Sequence, residues 1–399
     1  MAQAVAMLAF GMALPFLPLY VQRLGIPDPR DAARWAGVMS ACGMVVMAVI
    51  APVWGMIADR HGRKPMVTRS LFGGGAIVVL MSMARSPIDL LVLRTTQGAL
   101  SGTVSAMRTL VASTVPAAEL GFALGTMQTA AFMGNSFGPL IGGLIADRFG
   151  FQLSFAITGL LLIGAGVAVT RLVREDFVRP TPAGGAHHDG LRDTLHLVRD
   201  IPGLTSLIAT LFFVQAGMNA MGPILPLFVR SLVPDEEQSV ASLAGLIFGS
   251  TAVTGALAAG VAGRLGDRLG HGRILASCAI GAGLLYLPQG LVTSPWQLLA
   301  LRACQGVFTG GLLPGVMATI ALRTPAPRRG LVFGLTATAT ALGNAAGPLT
   351  SAAVVGVFGL RAVFWLTAAV LTAAGIWVAM TLGRAVARVP DAQSRVPSR

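Results

Sequence analysis

Pro15-Phe-Leu-Pro18-Leu-Tyr-Val21 returns later in the chain as Pro223-Ile-Leu-Pro226-Leu-Phe-Val229. One such match between apolar segments proves little, but the same offset brings two more groups into register. Gly55, Asp59, Arg60 and Gly62 fall on Gly263, Asp267, Arg268 and Gly270, and Arg94, Gln97 and Gly98 fall on Arg302, Gln305 and Gly306. With one residue inserted, Gly134, Gly138 and Pro139 fall on Gly343, Gly347 and Pro348. Agreement along nearly the whole chain identifies two parallel repeats, the arrangement carriers use to rock around a site between their halves.

The surroundings of the repeat set its medium. Of 399 residues, 54% are hydrophobic and only 11% charged, and the mean hydropathy is +0.74. A soluble domain carries about 25% charged residues, so most of this surface must face hydrocarbon. A membrane-spanning helix needs about 20 mostly apolar residues. Reading between charged clusters gives twelve: 3–21, 36–58, 70–84, 90–112, 120–146, 152–170, 204–229, 240–262, 274–292, 296–321, 330–357 and 361–383. Each repeat therefore supplies six. The expected fold is an all-α integral membrane protein of twelve transmembrane helices in two pseudo-symmetric six-helix bundles. The expected units are residues 1–173 and 204–383, a linker at 174–203 and a tail at 384–399. The linker holds Pro180, Pro182, Gly184 and Gly185, the composition of a flexible segment. Its second part, 189–201, spaces Leu191, Leu195, Val198 and Ile201 as an amphipathic surface helix would. The first apolar run reads as a span rather than a cleaved leader.

The net charge of +13 would suit nucleic acid, but the arginines cluster in short gaps between spans, where they orient helices. With both termini cytoplasmic, twenty of the 29 basic residues lie inside, seven lie outside, and Arg94 and Arg302 fall within spans. The positive-inside bias fixes this orientation. It places a multi-pass protein in a bacterial-type inner membrane, with the lipid bilayer as its partner, no nucleic acid, and a monomer as the expected state.

Three motifs stand in order. Gly55-Met-Ile-Ala-Asp59-Arg60-His61-Gly62-Arg63-Lys64 resembles the loop signature of the major facilitator superfamily. Leu90, Arg94, Gln97 and Gly98 resemble its second motif. Gly134-x-x-x-Gly138-Pro139-x-x-Gly142-Gly143 resembles the motif of its antiporters, especially the twelve-helix drug:proton exporters. The resemblance covers the whole chain. It implies export of small lipophilic compounds by alternating access, with protons as the coupling partner.

The chemistry of these residues is consistent with that implication. Asp59 can cap a helix or pair with Arg60 or Arg63 as a latch between conformations; alternatively Arg60, Arg63 and Lys64 merely enforce topology. Asp267 and Arg268 form a second, weaker copy. Gly134, Gly138 and Gly142 lie on one helix face, where small residues let helices pack closely, and Pro139 kinks the span; Gly143, Gly347 and Pro348 extend the pattern. Arg94 and Arg302 lie roughly 9 Å inside their spans, where a charge costs at least a few kcal/mol unless it meets a partner or a wet cavity. The alternative is snorkelling outward along the span; motif position favours a cavity-facing Arg94 with Gln97 one turn on. Gln128, Asn135, Gln215, Asn219 and Asn344 either bind substrate or tie helices together.

Other activities find no support. No P-loop is present, the histidines lie in loops, and Cys42, Cys278 and Cys304 lack metal spacing. No enzyme, cofactor or metal site is expected. The rivals are a carrier for a sugar, siderophore or amino-acid derivative, and a non-transporting membrane sensor. None of the sixteen acids lies in mid-membrane. If protons couple, Asp59, Asp89 or the substrate itself must carry them, and the two arginines tilt the cavity towards neutral or anionic lipophiles.

Overall fold

The computed structural model describes residues 2–115, 119–175, 203–234, 239–324 and 329–386. Fifteen α-helices follow one another in these segments: α1 Ala2–Ala13, α2 Leu17–Arg23, α3 Pro29–His61, α4 Lys64–Ser82, α5 Pro87–Leu100, α6 Thr103–Thr114, α7 Leu120–Phe149, α8 Phe151–Leu172, α9 Leu204–Ala220, α10 Leu225–Leu232, α11 Val240–Leu269, α12 His271–Gln289, α13 Pro295–Arg323, α14 Arg329–Phe358 and α15 Leu360–Val386. They make twelve spans in two bundles. The amphipathic helix expected at 189–201 and most of the 384–399 tail lie outside the described residues.

Three spans are broken rather than continuous. Span 1 passes through a 3-10 turn at Leu14–Phe16 between α1 and α2, and span 7 breaks between α9 and α10. Both breaks fall at the duplicated Pro-x-x-Pro, since each proline removes an amide and clashes with the preceding turn. Span 4 breaks between α5 and α6 at Gly102, whose φ of 113° only glycine adopts readily. Trp54 Nε1 donates to the Ala99 carbonyl at 2.8 Å and Arg69 Nη2 to that of Ser101 at 3.3 Å, satisfying carbonyls that the break exposes. Arg69 also stacks on the Trp54 ring at 3.5 Å. These contacts hold it within the first bundle. The counterpart of span 4 in the second half is the unbroken α13.

Nine of the described spans are long and apolar enough to cross a membrane by composition alone. The others are the broken span 4, the glycine- and amide-bearing α7, and α12.

The duplication goes further than the sequence matches. Gly62, Gly150, Gly270 and Gly359 have φ of 93°, 87°, 94° and 83°. They turn the chain between spans 2 and 3, 5 and 6, 8 and 9, and 11 and 12. Each three-helix unit thus has one glycine corner.

The halves meet along two seams, α3 with α14 and α7 with α11. A Cβ built on Gly245 would lie 2.2 Å from the Pro139 carbonyl oxygen, and one on Gly37 would lie 2.7 Å from that of Pro348. These contacts are repeat-related: Gly37 corresponds to Gly245, and Pro139 to Pro348. The helices that carry the duplicated Pro-x-x-Pro segments, α2 and α10, also touch at this end. Recorded seam contacts run from Asp147 to Ser136, about three turns. Towards the other end, a Cβ on Gly55, Gly125, Gly263 or Gly334 would meet nothing within 4 Å. The halves converge at one end and part at the other.

Candidate functional site

The closed end carries the α2–α3, α10–α11 and α14–α15 connections, and the parted end carries Asp59 to Lys64 and Asp267 to His271. In this conformation Asp59 and Arg60 are exposed, and Asp59 pairs with neither Arg60 nor Arg63. Arg63 and Lys64 are engaged elsewhere. Their backbone amides donate to the Glu175 carboxylate at 2.7–3.0 Å, and Lys64 Nζ donates to the Thr170 carbonyl at 2.9 Å. A carboxylate from the end of α8 thereby caps α4. Nothing along the chain marks Glu175, because a cap supplied from another helix leaves no local spacing. In the second copy Asp267 faces His271 Nε2 at 3.4 Å, while Arg268 is exposed.

The glycines of α7 divide between two faces. Gly134 packs on Ala4, Met7 and Leu8, Gly138 on Leu8 and Gly11, and Gly142 on Met12. These three close the seam with α1. Pro139 and Gly143 lie on another face, against Gly245 and Ala241 of α11. In the second half Gly343 and Gly347 pack on α9 around Phe212 to Ala220, and Pro348 faces Gly37. One helix thus packs within its own bundle and across to the other.

Arg94 and Arg302 are 8% and 5% exposed. Arg94, on α5, packs against α3. Its side chain lies over Gly43, whose missing side chain leaves room for it, and Nη1 donates to Gln97 Oε1. Nε of Arg94 and Nε2 of Gln97 have no hydrogen-bond partner among the described residues. Arg302 lies 5.3 Å from the Tyr286 ring centroid, and beside it Gln289 Nε2 donates to Gln305 Oε1 at 2.9 Å. Arg302 Nε and Nη2 have no hydrogen-bond partner among the described residues. Neither arginine meets a carboxylate among the described residues.

Three amides gather between α9 and α14. Asn344 Oδ1 accepts from Gln215 Nε2 at 3.1 Å and from Asn219 Nδ2 at 2.9 Å. All three are half-buried. The arrangement ties the helices and is itself uncharged. Asn135, the repeat counterpart of Asn344, has Met7 and Gly11 where Asn344 has Gln215 and Asn219, and it is exposed. Gln128 accepts from Arg108 Nη2 at 2.9 Å, joining α7 to α6. Asp89 closes a capping box with Ser86 at the start of α5. The Arg85 amide, then Ser86, hold its carboxyl below the usual carboxylate range.

Duplicated six-helix halves, glycine seams across them and buried arginines in each define a transporter rather than an enzyme. The chain matches the Major Facilitator Superfamily over residues 1–235 and 207–398, and it belongs to that family. It is similar to the Multidrug resistance protein MdtG of Escherichia fergusonii, with 35% identity over 91% of this chain and 88% of the relative. The proteins of that name from Salmonella typhimurium and Serratia proteamaculans are 35% and 36% identical over 91% of this chain, covering 89% and 87% of their own lengths. Among solved structures, the nucleoside transporter NupG aligns with a TM-score of 0.79 at 11% identity, covering 95% of this chain and 98% of its own. A D-xylose-proton symporter aligns at 0.77 and 14% identity, covering 99% and 98%. These two share its fold.

Proposed function

We propose that this transporter exports small lipophilic compounds by alternating access, in exchange for protons. The observation that carries the reading is the double-faced α7: one glycine face packs on α1 and the other seals against α11 of the opposite half. A span that is rigid within its bundle and removable from its partner is what a rocking exporter needs, and the MdtG relatives carry multidrug resistance in their name. Residues 1–173 and 204–383 move as the two units, joined by 174–203. Both termini are cytoplasmic, which puts the parted end inside and the closed end outside. A monomer suffices, because each half completes the other.

The proposed substrates are neutral or anionic lipophiles. No carboxylate lies in mid-membrane to balance a cation, while Arg94 and Arg302 place positive charge within the spans and the Gln215–Asn219–Asn344 cluster offers neutral hydrogen-bonding groups. Asp59 is the proposed latch of the inner end, exposed here where that end is parted.

Energised inverted vesicles offered a permanent dication and a weak-acid drug of similar size test the reading. Uptake of the weak acid, abolished when the pH gradient is collapsed, is expected. Efficient uptake of the dication alone would overturn the charge assignment, and uptake without a pH gradient would remove proton exchange.

A further inference from the structure

Gly143-Leu-Ile-Ala-Asp147-Arg148-Phe-Gly150 repeats the pattern of Gly55 to Gly62 and of Gly263 to Gly270, with the same glycine corner after it. This third copy sits at the closed end, and there its aspartate is engaged. Asp147 Oδ1 accepts from the Ala241 amide at 3.0 Å, and Oδ2 accepts from the Ser242 amide at 2.6 Å and from Ser242 Oγ at 2.5 Å. The two amides belong to the first turn of α11, where backbone donors have no partner within their own helix. Ser239, at the N-cap position, makes no capping hydrogen bond with its side chain. The helix of one half is therefore capped by a carboxylate from the other.

The repeat partner of this contact lacks it. Gly356 stands where Asp147 does, and Arg34 stands where Ser242 does, its guanidinium filling the space over Gly356. Arg34 pairs instead with Asp31 of its own helix at 3.1 Å. Only the α7–α11 seam carries a cross-half carboxylate cap among the described residues.

We propose that Asp147 is the positioning residue that latches the closed end, capping α11 across the halves while they meet there and releasing it when they part. The carboxylate lies beside the positive end of α11, where negative charge is favourable, and all three hydrogen bonds to it are charge-assisted. On separation, two amides and a hydroxyl exchange this partner for water. The latch thus favours the conformation seen here without touching substrate. The inference rests on the alternating-access reading, and its test uses no substrate, so its failure leaves the export proposal standing.

The test is a double electron–electron resonance distance across the closed end. Ile88 and Trp296 are repeat-related, lie near its rim and are 61% and 62% exposed. With Cys42, Cys278 and Cys304 replaced, spin labels at Ile88→Cys and Trp296→Cys report short (closed) and long (open) populations. Asp147→Asn keeps one acceptor but loses the charge, and it is expected to raise the open-to-closed ratio on the order of tenfold, since a hydrogen bond to a charged group is a strong one. Ser242→Ala removes one of three contacts and is expected to raise it about threefold. Asp147→Glu, which keeps the charge, should restore part of the closed population. Thermal unfolding should move little in all three, which separates a latch from a general loss of structure. A ratio within twofold of the parent in Asp147→Asn overturns the proposal. If that variant fails to fold, Ser242→Ala decides: an unchanged ratio refutes the latch and a raised one supports it.

Discussion

Gly245→Ala places a single methyl at the seam between the halves, and the structure sets its consequence. The added Cβ would sit 2.2 Å from the Pro139 carbonyl oxygen, 2.7 Å from its carbon and 3.0 Å from Leu140 Cα. All three atoms are backbone, so no side-chain rotation relieves the contact. The helices must separate by roughly 1 Å or the closed arrangement must strain, and overpacking of this kind costs about 1–3 kcal/mol. That cost falls only on the closed arrangement, because Gly245 and Pro139 belong to different halves and part when this end opens. A bias of about 1–3 kcal/mol shifts a two-state ratio by about 5- to 150-fold. The Ile88–Trp296 label distance reads this shift directly, and export slows because the cycle must pass through the closed state. Gly37→Ala, at the repeat-related contact, meets the Ala352 methyl at 2.6 Å and the Pro348 oxygen at 2.7 Å, so its shift is smaller. Gly55→Ala meets nothing within 4 Å and leaves this closed end unchanged. A normal closed population in Gly245→Ala, or an equal shift in Gly55→Ala, refutes the reasoning.

Other substitutions test the remaining assignments. Asp59→Asn should reach the membrane at normal abundance yet export slowly, since the amide loses charge-assisted pairing when the inner end closes; normal export at normal abundance would leave the loop a topological role alone. Arg94→Gln removes a buried charge with an unsatisfied Nε, so thermal stability should hold or rise while export falls more than about tenfold; a parallel loss of both would mark Arg94 as structural. The depressed pKa of Asp89 means its contribution is present above the unfolded carboxylate value near ~3.9 and fades as pH falls through the folded value. Thermal unfolding of Asp89→Asn should therefore lie below that of the parent at neutral pH and converge with it in strong acid, and a gap persisting there would discount the carboxylate. Reporters fused within 174–203 and 231–238 should read as cytoplasmic and external, and opposite labelling would reverse the orientation.

The fold was legible because its two determinants are local. Apolar length marks most of the spans, and a duplicated chain repeats its turn residues, so Pro15 and Pro223 or Gly62 and Gly270 announce the halves without a contact being known. The same local signals mark where spans break only once the backbone is seen. Pro18 and Pro226 lie inside apolar runs that read as continuous, and nothing near Gly102 separates it from the packing glycines of the same chain. The loop, arginine and glycine motifs also stand out in the sequence, because each is a spacing within one helix or one turn.

What those residues touch was decided by tertiary structure. Gly134 and Gly143 look alike along the chain, yet one packs on α1 and the other on the opposite half, since helix rotation about its own axis assigns the faces. Asn344 and Asn135 are repeat equivalents, and only Asn344 finds amides across the groove, because its neighbours come from α9, more than a hundred residues away. Glu175 and Asp147 each cap a helix that is not their own. A carboxylate's affinity for free helix amides is general chemistry. Which amides it reaches depends on how the helices are brought together in space, and spacing along the chain does not encode that.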